Sequence, residues 1–95
     1  RFRLYETQNM WTFILLDSYN GRLWQVQYSA QDLDTLFCIP INKYELVSDN
    51  ENCIFSIQPL TSMYQYYLIN DRTGDIWKFQ WSTKGDDYRW IEKFK

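Results

Sequence analysis

Histidine is absent from this chain, glycine occurs three times, and proline and cysteine twice each. Each scarcity removes a class of answer. Two thiols without histidine cannot complete a tetrahedral zinc site, and the 15-residue spacing from Cys38 to Cys53 fits no zinc pattern. One disulfide between Cys38 and Cys53, or two free or buried thiols, are both open on the sequence. So little glycine and proline, with no low-complexity stretch, argues against disorder. No run of basic residues is present and the net charge is −2, so nucleic acid is not an expected partner. The longest apolar stretch, Met10 to Leu16, is interrupted by Thr12 and falls far short of the roughly 20 residues of a membrane helix, so no membrane span is expected. Neither cysteine has a basic neighbour, and there is no Gly-rich phosphate loop and no G-x-S-x-G. No catalytic residue, cofactor or metal ligand is therefore expected, and the chain does not read as an enzyme.

What the chain has is aromatic bulk: five Trp, eight Tyr and six Phe in 95 residues. Each such side chain can bury roughly 150–250 Å², enough for a small single domain to build a core without a staple. The chain begins at Arg1, which suits a cleaved export signal, a domain boundary or a processed tag alike.

The chain also repeats itself. Shifted by 53 positions, residues 2–29 align with 55–82 without a gap. Identical pairs are Phe2/Phe55, Met10/Met63, Leu15/Leu68, Gly21/Gly74, Trp24/Trp77, Gln27/Gln80 and Ser29/Ser82. Aromatic exchanges with aromatic at Trp11/Tyr64, Phe13/Tyr66 and Tyr28/Trp81, while Tyr19/Arg72 and Arg22/Asp75 differ freely. Agreement on packing and turn chemistry but not on charge points to a shared fold. A shared active site would have kept reactive polar residues. Repeat one is expected over about 2–41, a connector rich in Asn, Asp and Glu over about 42–52, and repeat two over about 53–95.

Each repeat reads as a β-meander. Phe2 and Leu4, like Phe55 and Ile57, alternate with more polar neighbours, the period of a half-buried strand. Trp11–Leu16 and Tyr64–Ile69 are apolar on both faces, as in a central strand covered twice. Trp24, Val26 and Tyr28, and Trp77, Phe79 and Trp81, alternate again. The segments Asp17–Gly21 and Asn70–Gly74 predict hairpin loops, because Asp or Asn bonds the turn amides and Gly supplies positive φ. A fourth, weaker strand is expected over about Thr35–Ile39 and Tyr88–Lys93. The fold class is all-β: two tandem antiparallel β-meander repeats forming a pseudo-symmetric small barrel or sandwich, or a pair of propeller-like blades.

The string N-M-W-T-F-I-L-L-D-x-x-x-G-R-L-W-Q-V-Q-Y-S, from Asn9 to Ser29, with G-D-D-Y-R-W from Gly85 to Trp90, resembles a repeat of small exported bacterial proteins. That repeat has the form "MWTFLxLDxxTGxxWQVQxS…DDYR". The resemblance departs at Asp32–Leu36, where the Gly-Asp-Asp-Tyr-Arg string is missing. It implies an exported β-repeat protein, periplasmic or on the cell surface, and brings no activity or ligand.

Site candidates are few. Trp24 and Trp77 could serve as sugar platforms, but each sits on the apolar phase after a turn and reads as core. Met10 and Met63, without His or Cys nearby, read as gap-fillers in the core rather than metal ligands. Asp32 and Asp34, and Asp86 and Asp87, supply too few oxygens for a calcium cage and read as solvated loops, with Asp87 free to cap Arg89 or a turn. The aromatics expected off the core, Tyr5, Tyr19, Tyr44 and Tyr67, are the candidate ligand-binding residues, since tyrosine suits interfaces. A protein or a glycan partner is open on the sequence. The identical pair Gln27/Gln80, on the polar phase, is expected to be buried where the two repeats meet.

Overall fold

The computed structural model describes residues 1–28 and 36–95. Eight strands fall in chain order: β1 (Phe2–Glu6), β2 (Thr12–Asp17), β3 (Leu23–Gln27), β4 (Phe37–Pro40), β5 (Phe55–Pro59), β6 (Gln65–Asn70), β7 (Ile76–Gln80) and β8 (Trp90–Lys93). They form two four-stranded antiparallel sheets, ordered β1-β2-β3-β4 and β5-β6-β7-β8. Each repeat is one sheet. The registers correspond as well, since Leu15 pairs with Trp24 and Leu68 with Trp77. The fold class expected from the sequence is the observed one, as two facing sheets that form no closed barrel among the described residues.

The hairpin loops form as expected. Gly21 stands at φ +82° and donates its N–H to the Asp17 carbonyl at 2.9 Å, and Gly74 stands at +78° and donates to Asn70 at 2.8 Å. The side-chain oxygens Asp17 Oδ1 and Asn70 Oδ1 accept from the amides of Tyr19 (3.1 Å) and Arg72 (3.0 Å). Only glycine adopts such φ without strain. Gly21 has a second constraint: a Cβ there would lie 2.9 Å from Leu46 Cδ1 and 3.1 Å from Phe55 Cε1, whereas Gly74 has open space. The first loop is thus pressed against repeat two. Phe55 donates its N–H to the Ser18 carbonyl at 2.9 Å, which ties the start of β5 to that loop.

The connector's polar residues are spent holding it to the same loop. Asn42, buried, accepts from the Leu23 amide at 2.9 Å and donates to the Gly21 carbonyl at 3.0 Å. Leu46 donates its amide to the Asn20 carbonyl at 2.7 Å. Asn20 Nδ2 reaches Asp49 Oδ1 at 3.0 Å, in a 3-10 turn over Asp49–Glu51 capped by Ser48. Arg1 joins Asp17 (3.0 Å) to Asp49 (2.7 Å).

Side chains alternate between the two faces of a strand, so each sheet has two distinct surfaces. One, here the front, carries Phe2, Leu4, Phe13, Leu15, Trp24 and Val26 in repeat one, and Phe55, Ile57, Tyr66, Leu68, Trp77 and Phe79 in repeat two. The back carries Thr12, Ile14, Leu16, Leu23 and Gln25, matched by Gln65, Tyr67, Ile69, Ile76 and Lys78. The core takes the back of repeat one and the front of repeat two. Ile14, Leu16 and Leu23 cluster with Phe55, Tyr66, Leu68, Trp77, Phe79 and Trp81. Matched positions therefore differ in exposure: Phe55 is 0% exposed and Phe2 57%, while Leu23 is 0% and Ile76 39%. The two copies do not face each other across a twofold axis. They stack head to tail.

This stacking corrects several expectations for repeat one. Phe2, Leu4 and Met10, expected inward, are exposed, and Trp24 is only half-buried, because the front of the first sheet meets no described element. Their counterparts Phe55, Ile57, Met63 and Trp77 are in or against the core. The same residue types at the same repeat positions have different surroundings solely because one front face is covered.

A pair of substitutions checks this. Trp77→Ala should cost about 3–5 kcal/mol, the range for emptying a large aromatic site. Trp24→Ala should cost clearly less, roughly 1–2 kcal/mol, in line with partial burial. Denaturant melts of both variants against the unsubstituted chain read the difference; equal losses would contradict the stacking.

Candidate functional site

The first sheet's front is an apolar surface that no described element covers. Its rows follow from the register: Leu4, Leu15, Trp24 and Pro40 form one, and Glu6, Phe13, Val26 and Cys38 the next. Leu4 is 59% exposed, and Phe2 beside it is 57% exposed. Contiguous apolar area of this kind marks an interaction surface more often than an ordinary face. Phe2 and Trp24 touch within it, their centroids 6.4 Å apart, with the ring planes tilted by 50°. The Arg22 guanidinium lies 4.9 Å from the Trp24 ring centre. Trp24 is thus flanked on the sheet rather than held out as a flat platform, while the near-parallel rings of Phe13 and Tyr28, 6.2 Å apart, are both only partly exposed.

The four candidate tyrosines do not converge. Tyr5, expected off the core, packs partly buried against it from β1. Tyr67 lies on the back of the second sheet, edge-on to Phe94 at 5.7 Å. Tyr19 is in the first hairpin loop under Arg1, at 4.9 Å from the guanidinium, and Tyr44, 78% exposed, is in the connector. They occupy four separate elements.

Besides the Phe55–Ser18 bond, the junction between the repeats has a polar cluster at Gln25. Gln25, fully buried on β3, accepts at Oε1 from the Ser82 amide (3.1 Å) and from Arg89 Nη1 (3.4 Å), and donates from Nε2 to Gln27 Oε1 (2.7 Å). Arg89 also donates to the Ser82 carbonyl at 2.7 Å and pairs with Asp86 at 2.6 Å. Asp86, rather than the expected Asp87, thus caps Arg89, and the Gly85–Trp90 string builds a clamp on repeat one. The identical glutamines do not meet. Gln27 supports Gln25, while Gln80 accepts from Gln65 and donates to the Tyr88 carbonyl, both at 2.9 Å within repeat two. The amide at the contact is Gln25, whose repeat mate is Lys78, so identity between copies pointed to the wrong glutamine. The usable signal was the departure itself: Arg89 in repeat two stands opposite Leu36 in the alignment, as Gln25 does Lys78.

Among the described residues no three acidic, cysteine or histidine side chains gather as a metal site. Asp32 and Asp34 lie outside the described residues, and Asp87 is exposed. Cys38 and Cys53 are unbonded: Cys38 is exposed on the open front and Cys53 is buried. Partial desolvation pushes the Cys38 thiol pKa up, away from the reactive thiolate. A shallow cleft beside the clamp is lined by Tyr64, Trp81, Ser82, Lys84 and Tyr88. No described helix is long and apolar enough to cross a membrane. Compared with family models, curated proteins and solved structures, the chain matches none.

The clamp yields a prediction. Gln25→Ala strands the buried Ser82 N–H and one guanidinium donor and should destabilise the fold by about 1–3 kcal/mol. Gln80→Ala, whose partners lie on the outer face, should cost less. Chemical denaturation of the two variants decides it, and a Gln80 loss as large as that at Gln25 would count against the clamp.

Proposed function

We propose that the chain is a non-enzymatic β-repeat module that works by protein interaction or in envelope structure, exported to the periplasm or cell surface. The single observation that carries the reading is the open front of the first sheet, where Phe2, Leu4, Trp24 and Val26 repeat the chemistry of a face that repeat two buries. An apolar face with a polar surround is suited to another protein surface, which excludes water from it at roughly 25 cal/mol per Å². Carbohydrate or peptidoglycan binding, the other expectation, would call for coplanar open rings, and the tilt of Phe2 against Trp24 does not favour it. Export rests on the resemblance of Asn9–Ser29 and Gly85–Trp90 to the exported repeat.

A photo-reactive benzoyl-phenylalanine placed at Leu4 tests the interaction reading. Irradiated in native extract, it should give adducts of protein mass, whereas the same group at Tyr44 should give few. Absence of protein adducts at Leu4, with a change of tryptophan fluorescence on adding peptidoglycan fragments, would replace this reading with the glycan one.

A further inference from the structure

The internal contact is of the heterologous kind: the front of one repeat lies on the back of the other. Such a contact does not consume its own surfaces in pairs. It leaves one front and one back unused, and repeating it adds units into a ring or filament. The unused front belongs to β1–β4 and the unused back to β5–β8. On that back, Ile76 is 39% and Phe94 51% exposed, at the positions where repeat one buries Leu23 (0%) and Ile41 (6%).

Three observations say that the two open faces suit each other. First, they are repeat counterparts of the faces already in contact, with Phe2, Leu15 and Trp24 identical to Phe55, Leu68 and Trp77. Second, the charges are exchanged together. In the internal contact the neutral Gln25 meets the cationic Arg89 at 3.4 Å. Across the open faces the counterpart of Gln25 is Lys78 and that of Arg89 is Leu36, so the lysine meets no arginine. An arginine at position 36 would have set like charges against each other. Third, both groups of the backbone link between the repeats have counterparts at the open faces. Phe55 N–H bonds the Ser18 carbonyl, and the counterparts of these groups are Phe2 N–H and the Asp71 carbonyl. They stand at the start of the open front and in the second hairpin loop, where a neighbour in the same orientation would join them.

We infer that the chain associates with copies of itself head to tail, the back of β5–β8 of one molecule seating on the front of β1–β4 of the next. This deepens the interaction reading and rests on it, by naming the partner as a second copy. Each chain then contributes two blades to a continuous stack, and a closed ring of roughly two to four chains would have a blade count in the range of known propellers.

Sedimentation velocity over a concentration series, with two single-face variants, tests this. The unsubstituted chain should exceed its 11.7 kDa mass and grow with concentration. Leu4→Glu spoils only the front and Ile76→Glu only the back, so each alone should remain monomeric. Their equal mixture should form a one-to-one dimer and stop there, because each supplies the face that the other lacks. Cys38, on the front, should be modified severalfold more slowly by maleimide as the unsubstituted chain is concentrated, with Cys53 protected throughout; this needs no variant to fold. A chain that stays monomeric with unchanged Cys38 reactivity overturns the inference. So does a dimer that the mixture of correctly folded variants, by near-ultraviolet circular dichroism, fails to restore. Cross-links from Leu4 only to proteins of other mass would also end it, while leaving the interaction reading in place.

Discussion

The contact between two unlike faces governs this molecule. The back of β1–β4 presents Ile14, Leu16 and Leu23, and the front of β5–β8 presents Phe55, Leu68, Trp77 and Phe79, and the joint core is made from these two sets. Aliphatic and branched side chains on one side receive flat rings on the other, which fills the space between sheets that stand about 10 Å apart in such packings. Everything else at the junction serves that placement. The Gln25–Arg89–Asp86 group satisfies the buried amide of Gln25, and Gly21 lets Leu46 and Phe55 come close. The connector, the first hairpin loop and Arg1 form a polar brace at the end where β5 enters.

The strands, the turns and the duplication were legible because each is a local property. Alternation marks a strand within a few residues, and Asp17–Gly21 and Asn70–Gly74 carry their turn chemistry in their own side chains. Which face a strand buries is not local. Repeat one and repeat two have the same pattern, yet Trp77 is buried and Trp24 half-open, because the difference lies in what the other repeat covers. A strand apolar on both faces, such as Thr12–Asp17, gives no sign of which face is inside. For the same reason Tyr5 was misplaced: read as the polar phase of β1, it is on the face that faces the core.

The candidate surface was legible only in part. Phe2, Leu4, Trp24 and Val26 were picked out as apolar, but as core, and the tyrosines chosen for the surface are scattered over separate elements. A two-repeat stack must leave one apolar face open at each end, and the residues on those ends look like core because their counterparts are core. Here the front keeps Phe2, Leu4, Trp24 and Val26 uncapped among the described residues. That retention is the observation on which the proposed association rests.

Nuclear Overhauser contacts between labelled methyl groups and aromatic rings test the unlike-face packing most directly. The Ile14, Leu16 and Leu23 methyls should show contacts to the rings of Phe55, Trp77 or Phe79, while Leu4, Leu15 and Val26 should contact rings of repeat one only, in dilute protein. Contacts from Leu15 or Val26 to the rings of β5–β8 in that dilute protein, with none from Leu16 or Leu23, would mean that the fronts face each other and would contradict the account.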